Sequence, residues 1–115
     1  MERIIKAFFY SLDGLKATYK HEAAFRQEVW LGFFLVPLTL VITLPSLFKA
    51  YLLGSYILIL LMEILNSAIE AVVDMVMPDI HELAKRAKDM GSCVVLLAFV
   101  NLLIAWGFAL CELFS

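Results

Sequence analysis

Charged side chains are scarce in this sequence of 115 residues. Asp, Glu, Lys and Arg make up 17% of the chain, hydrophobic residues make up 63%, and the mean hydropathy is +0.93. A soluble domain of this length cannot bury so many apolar side chains, so we expect lipid around most of the chain. The net charge is −2 and no basic run with interleaved aromatics occurs, so no nucleic-acid partner is expected.

Several short motifs that mark soluble enzymes are missing as well. The sequence contains no Walker A loop, no kinase-type glycine-rich loop, no nucleophile elbow and no HExxH motif. Its two cysteines, Cys93 and Cys111, would lie about 27 Å apart along one helix, too far to form a disulfide within the chain. If the protein handles a nucleotide, it does so without a standard phosphate loop.

Three apolar windows are long enough to cross a bilayer as helices, which takes about 20 residues. Pro37 and Pro45 lie in the first window, where neighbouring helices can satisfy the freed backbone groups. The sequence therefore predicts transmembrane helices at 30–48, 50–77 and 91–114, with a loop at 78–90.

Lysine and arginine predict the orientation of these spans. Of the nine such residues, five precede the first span, three lie between the second and third, and one, Lys49, lies in the first loop. Since cytoplasmic segments carry the excess of positive charge, the N-terminus and the 78–90 loop are predicted to be cytoplasmic.

Residues 1–28 have a helical pattern of apolar side chains. We expect an amphipathic helix lying in the cytoplasmic interface, bent or interrupted near Gly14, then a second segment at 19–28 that leads into the first span. A simple orientation anchor explains the pattern equally well. The apolar positions are Ile4, Ile5, Phe8, Phe9, Leu12 and Leu15.

Three acids lie inside the second apolar window. At about 100° per residue, Glu63, Glu70 and Asp74 fall within roughly 40° of one another, and we call these three the acidic stripe. A carboxylate facing lipid near mid-bilayer costs about 2.5–3.5 kcal/mol, so the stripe must face protein, water or a metal. Hydrogen bonding between helices explains Asn66 and Ser67 beside the stripe, but not three like charges. The stripe therefore predicts a metal, proton or substrate site.

Polar residues on both sides of the second window are predicted to share its cytoplasmic end. Their carboxylates are hard oxygen ligands suited to Mg²⁺, and their cations suit phosphate, although each taken singly is an ordinary interfacial charge. They are Asp79, His81, Glu82, Lys88 and Asp89 in the loop, and Arg3, Glu22, Arg26 and Glu28 nearer the N-terminus.

Four segments together resemble one known family. They are RIIKAFFYS at 3–11, EAAFRQE at 22–28, EILNSAIEAVVD at 63–74 and HELAKRAKDMGS at 81–92. Over essentially the whole chain, the sequence resembles the small integral-membrane diacylglycerol kinases of Gram-negative bacteria. The resemblance implies an all-α fold with a surface helix and three transmembrane helices, assembled as a homotrimer in the inner membrane. It also implies Mg²⁺-dependent transfer of the ATP γ-phosphoryl group to diacylglycerol, which gives phosphatidic acid.

The same resemblance implies roles for individual residues. Glu63 would be the general base that receives the lipid hydroxyl proton, and Glu22 and Glu70 would hold Mg²⁺. Nucleotide and metal binding would fall to Arg3, Tyr10, Glu22, Asn66, Glu70, Asp74, Asp79, His81, Lys88 and Asp89. The lipid would meet Ser11, Arg26, Glu28, Glu63 and Ser92.

Two other functions remain open at this point. A kinase of the same family acting on undecaprenol would need the same residues, because the two lipids differ mainly in tails and headgroup. A small proton-coupled transporter would also place an acid inside the membrane, but would not need metal ligands grouped at one membrane face.

Overall fold

The computed structural model describes residues 1–76 and 81–115, and within these ranges all regular structure is helical. The described residues form four helices: α1 (Glu2–His21), α2 (Ala23–Val41), α3 (Ser46–Val76) and α4 (Glu82–Leu113). The predicted all-α class is therefore confirmed.

Three of the helices, α2, α3 and α4, are long and apolar enough to cross a membrane. At 1.5 Å per residue, the 31 residues of α3 and the 32 residues of α4 each extend over about 45 Å. A hydrocarbon core is about 30 Å thick, so both helices extend beyond it. Their charged turns can therefore lie in the headgroup region while their apolar turns span the lipid.

The boundary between the first two spans differs from the prediction. The predicted helix at 30–48 includes the end of α2 at Val41 and the start of α3 at Ser46. Proline disfavours a helical conformation in the residue before it, and Pro45 immediately precedes α3. The Pro45 carbonyl then accepts the Phe48 and Lys49 N–H groups at 3.0 and 3.3 Å, which begins the new helix. Pro37 is tolerated inside α2, as predicted.

The predicted loop at 78–90 is helical from Glu82 onwards. His81 caps α4, and its Nδ1 accepts the Leu83 N–H at 3.1 Å. Lys85 pairs with Asp89 one turn along, which is a spacing typical of an exposed helix. Charge alone indicated a loop here, whereas the four-residue spacing of opposite charges indicates a helix.

Helix α1 continues through Gly14, so the predicted interruption there is wrong. No described residue has a positive φ, and an isolated glycine inside a helix costs only about 1 kcal/mol relative to alanine. The chain instead changes direction at Glu22, whose backbone is extended (φ −117°, ψ 109°). The apolar side chains of Ile4, Phe8 and Phe9 on α1 are exposed.

The core of the chain lies between α3 and α4. Its two clusters are Leu52 with Ala105 and Ala109, and Ile59 with Ala98 and Leu102. Alanine on α4 lets the two helix backbones approach closely, as is usual between membrane helices. Because α1 and α2 also pack on α3, the acidic stripe lies on the central helix of the bundle.

Candidate active site

Burial along the acidic stripe decreases towards the C-terminal end of α3. Glu63 is 6% exposed, Glu70 is half-buried and Asp74 is exposed. The stripe therefore faces protein at its Glu63 end and is accessible at its Asp74 end. Each of its three acids has a different partner.

Glu63 meets Glu28 of α2, which is 7% exposed. The two carboxyl groups lie against each other, and Oε1 of Glu28 has no hydrogen-bond partner in the part of the chain that the structure describes. None of the ion pairs among residues 1–76 and 81–115 includes either acid. Two buried carboxylates in contact repel each other, so this pair needs a proton or a cation.

Asn66 forms a hydrogen bond to Glu70 on the same helix and packs against α4. Its Nδ2 donates a hydrogen bond to Oε1 of Glu70 at 3.1 Å. Its buried Oδ1 has no partner among the described residues and packs on Gly91 of α4, where any side chain would overlap it. Asn66 is thus held in place by Gly91 and orients the Glu70 carboxylate.

Asp74 forms an ion pair with Lys88 of α4, with 2.6 Å between Oδ1 and Nζ. Both side chains are exposed to water, which screens their charges, so this pair adds little to stability. It does, however, tie the end of α3 to the start of α4 and places an ammonium group beside the accessible end of the stripe.

Glu22 approaches the stripe from the joint between α1 and α2. Its side chain is half-buried and close enough to Glu63 for the two charges to interact. It also lines a groove of about 360 Å³ between α1 and α3, together with His21 and Ser67. Glu22 therefore places a further carboxylate near the acidic stripe.

Within residues 1–76 and 81–115, no three Asp, Glu, His or Cys side chains are grouped to hold a metal ion. Mg²⁺ usually binds through only one or two carboxylates and completes its coordination with water and substrate phosphates. The hard carboxylate oxygens of Glu22 and Glu70, both partly accessible near Glu63, fit that mode.

Other predicted site residues are exposed, and several are bonded locally. The hydroxyl of Ser11 donates to the Ala7 carbonyl at 2.9 Å within α1, His81 caps α4 and Asp89 pairs with Lys85. Asp79 lies outside the described residues. Arg3, Tyr10 and Ser92 are exposed on the surfaces of α1 and α4.

Two contacts between α2 and α3 have no clear signal in the sequence. The Tyr56 hydroxyl donates to the backbone carbonyl of Glu28 at 2.9 Å, and Gly32 makes room for the Tyr56 ring, because any side chain at Gly32 would overlap it. Together they hold α2 so that Glu28 faces Glu63. A glycine in an apolar helix is a general sign of close helix packing, but it does not name the partner.

The fold and site define a class of protein: a multi-pass membrane protein with buried and half-buried acids between its helices. Residues 9–110 match the family model described as prokaryotic diacylglycerol kinase.

Curated relatives agree with the family model over nearly the full chain. The diacylglycerol kinase of Escherichia coli (strain K12) is 46% identical over 104 residues, which covers 90% of this chain and 85% of the relative. That of Haemophilus influenzae (strain Rd) is 40% identical over 107 residues, covering 93% and 91%. That of Pseudomonas aeruginosa (strain PAO1) is 41% identical over 106 residues, covering 92% and 86%. The chain belongs to the prokaryotic diacylglycerol kinase family, which confirms the predicted resemblance.

Proposed function

We propose that this protein transfers the γ-phosphoryl group of ATP to the free hydroxyl of 1,2-diacylglycerol, with Mg²⁺, at the cytoplasmic face of the inner membrane. The names of its relatives support the reaction. The observation that carries the proposal is the decrease in burial along α3, from buried Glu63 to exposed Asp74 beside Lys88. We expect the lipid hydroxyl to approach the buried Glu63 end of α3, and the soluble nucleotide to approach the accessible Asp74 end.

Glu63 is the proposed general base. The lipid oxygen forms a bond to the γ-phosphorus, the bond from that phosphorus to the ADP oxygen breaks, and the hydroxyl proton passes to the Glu63 carboxylate. Glu63 lies about 10 Å along α3 from Glu70, deeper in the bundle, where a diacylglycerol hydroxyl can reach it. Phosphoryl transfer needs mainly positioning and charge neutralisation, so carboxylates and a lysine supply suitable groups.

Glu22 and Glu70 are the proposed Mg²⁺ ligands, with Asn66 orienting Glu70. A bound Mg²⁺ neutralises charge on the phosphate oxygens. Asp74 supports this arrangement by holding Lys88, whose ammonium group is available to the phosphates. Nucleotide contacts extend to Arg3, Tyr10, Asp79, His81 and Asp89, and lipid contacts to Ser11, Glu28 and Ser92.

The first test measures transfer of labelled γ-phosphate from MgATP in mixed micelles, with diacylglycerol and undecaprenol in parallel. We expect transfer to diacylglycerol, a loss in kcat of about 10²–10⁴-fold in Glu63→Gln, and no activity in Glu70→Gln with assembly intact. Glu112→Gln, an exposed position near the C-terminus of α4, is the matched control and should match the unmodified protein.

Each alternative has its own outcome in this experiment. Normal turnover in correctly assembled Glu70→Gln would refute the metal assignment. Preference for undecaprenol would retain the chemistry but change the substrate. No transfer to either lipid by folded protein would favour the proton-coupled transporter.

A further inference from the structure

Arg26 folds back from the first turn of α2 onto the end of α1. Its Nη1 donates to the backbone carbonyls of Tyr19 and Lys20 at 2.7 and 2.9 Å. These are two of the last four carbonyls of α1, which have no partner within their own helix. A third, that of Thr18, accepts the Glu22 N–H at 2.9 Å. Three of these four carbonyls therefore have partners, and Arg26 caps two of them.

The charge of Arg26 is also used at this joint. The C-terminus of a helix carries a partial negative charge, which a guanidinium group stabilises. Arg26 takes part in none of the ion pairs among residues 1–76 and 81–115, so the carbonyls of α1 are its identified partners there. The guanidinium group can donate to two acceptors from a fixed plane, which a lysine ammonium group does less well.

The joint that Arg26 caps consists of a single residue, Glu22, between the two helices. With only one non-helical residue, the angle between α1 and α2 determines where the Glu22 side chain points. Glu22 lies near Glu63 and is one of the two proposed Mg²⁺ ligands. A change in the cap formed by Arg26 would therefore change the position of the Glu22 carboxylate.

We propose that Arg26 is a positioning residue: by capping α1 it holds the α1–α2 joint, and thereby holds Glu22 beside Glu63. This role differs from the lipid contact that the family resemblance implied for Arg26. It rests on the proposed function only in so far as Glu22 binds the metal.

The kinetic test compares Arg26→Gln and Arg26→Lys while Mg²⁺ and diacylglycerol are varied separately. Removing a group that orients a metal ligand typically weakens metal binding about 10–100-fold, so Arg26→Gln should raise the half-maximal Mg²⁺ concentration by at least about tenfold. The KM for diacylglycerol should change less than about twofold, because no lipid contact is lost. Arg26→Lys should fall between Arg26→Gln and the unmodified protein. A raised KM for diacylglycerol with an unchanged Mg²⁺ requirement would overturn the proposal in favour of a lipid contact.

A second measurement tests the geometry of the joint between α1 and α2 and does not depend on kinase activity. Ala17 of α1 and Ala68 of α3 line the same groove. Cysteines introduced there, with Cys93 and Cys111 replaced by alanine, should be joined within one chain by a short bifunctional thiol reagent. Arg26→Gln should lower that yield, and an unchanged yield would overturn the proposal that Arg26 holds the joint between α1 and α2.

Arg86→Gln is the matched control for both experiments, because Arg86 pairs with Glu82 on the exposed side of α4. It should change neither the Mg²⁺ requirement nor the cross-linking yield. If the unmodified protein transfers no phosphate, the proposed function fails. The cross-linking result still tests whether Arg26 holds the joint between α1 and α2.

Discussion

At the scale of single residues, the three acids of the stripe share a helix face but differ in surroundings. Glu63 is buried against another carboxyl group, Glu70 accepts a hydrogen bond from Asn66, and Asp74 pairs with Lys88. A carboxyl group that is removed from water and lacks a cation is suited to take up a proton. Partly accessible carboxylates are better suited to a hydrated metal. The different proposed roles of Glu63 and Glu70 follow from these surroundings.

The pair formed by Asp74 and Lys88 leads to a prediction about ATP. Lys88→Met should raise the KM for ATP more than Asp74→Asn does, because it removes the cation itself, whereas Asp74→Asn leaves that cation in place. Initial rates at varied MgATP measure this difference. Arg86→Met, which breaks an exposed pair with Glu82 on the same helix, is the control and should have the smallest effect.

Exchanging the two charges separates a structural tie from a nucleotide contact. The double variant Asp74→Lys with Lys88→Asp keeps an ion pair between α3 and α4 but moves the ammonium group to α3. We expect its KM for ATP to stay raised. A return to the value of the unmodified protein would show that the pair acts only as a tie between the helices.

At the scale of helices, α3 and α4 pack tightly near the site where Asn66 meets Gly91. A methyl group at Gly91 would overlap Oδ1 of Asn66 and lie 3.2 Å from its Cγ. Gly91→Ala should therefore displace the carboxamide and weaken its hydrogen bond to Glu70, and loss of a group that orients a metal ligand should lower kcat about tenfold. Overpacking of this kind typically costs about 1–3 kcal/mol, so thermal stability in detergent should fall as well.

Gly107 of the same helix provides the control. Among the described residues, no neighbouring side chain or other helix lies within 4 Å of a methyl group placed there, so Gly107→Ala should leave activity unchanged and should not lower stability. Equal behaviour of Gly91→Ala and Gly107→Ala would refute the role of Gly91. A stability loss in Gly91→Ala with normal kcat would mean that Asn66 does not orient Glu70 during turnover.

At the scale of the whole molecule, one chain leaves large apolar surfaces on every spanning helix. Phe33 and Phe34 on α2, and Leu96 and Leu97 on α4, are more than 60% exposed. Lipid or further copies of the chain must cover these surfaces, and the homotrimer that the family resemblance implies would cover part of them. Native mass spectrometry of the protein released from detergent should therefore give the mass of three chains, and a single-chain mass would refute the trimer.

Mixed assemblies test which residues of a site belong to one chain. Glu22 interacts with Glu63 within a single chain, so no site in a mixture of Glu22→Gln and Glu63→Gln chains would contain both carboxylates. Co-expressed in equal amounts, the two variants should remain as inactive as each alone. Recovered activity would show that one site draws Glu22 and Glu63 from different subunits. Co-expressed Glu112→Gln and Glu63→Gln chains provide the positive control, since one partner is intact.

The class of protein and most of the proposed chemistry could be read from the sequence. Helical period and hydropathy are local properties, so the three apolar spans, the common face of Glu63, Glu70 and Asp74, and the family resemblance were all visible there. Helix ends were less predictable. Hydropathy does not change where α2 ends at Val41, and the cap formed by His81 depends on backbone geometry.

The tertiary structure alone determined which partners meet the stripe. Glu28 against Glu63, Gly91 against Asn66, and Lys88 beside Asp74 each join different helices. Such contacts depend on which helix faces pack together and at what angle, and no single stretch of sequence carries that information. The sequence thus specified the acids and the membrane around them, whereas helix packing determined which acid is buried, which is bonded and which is paired.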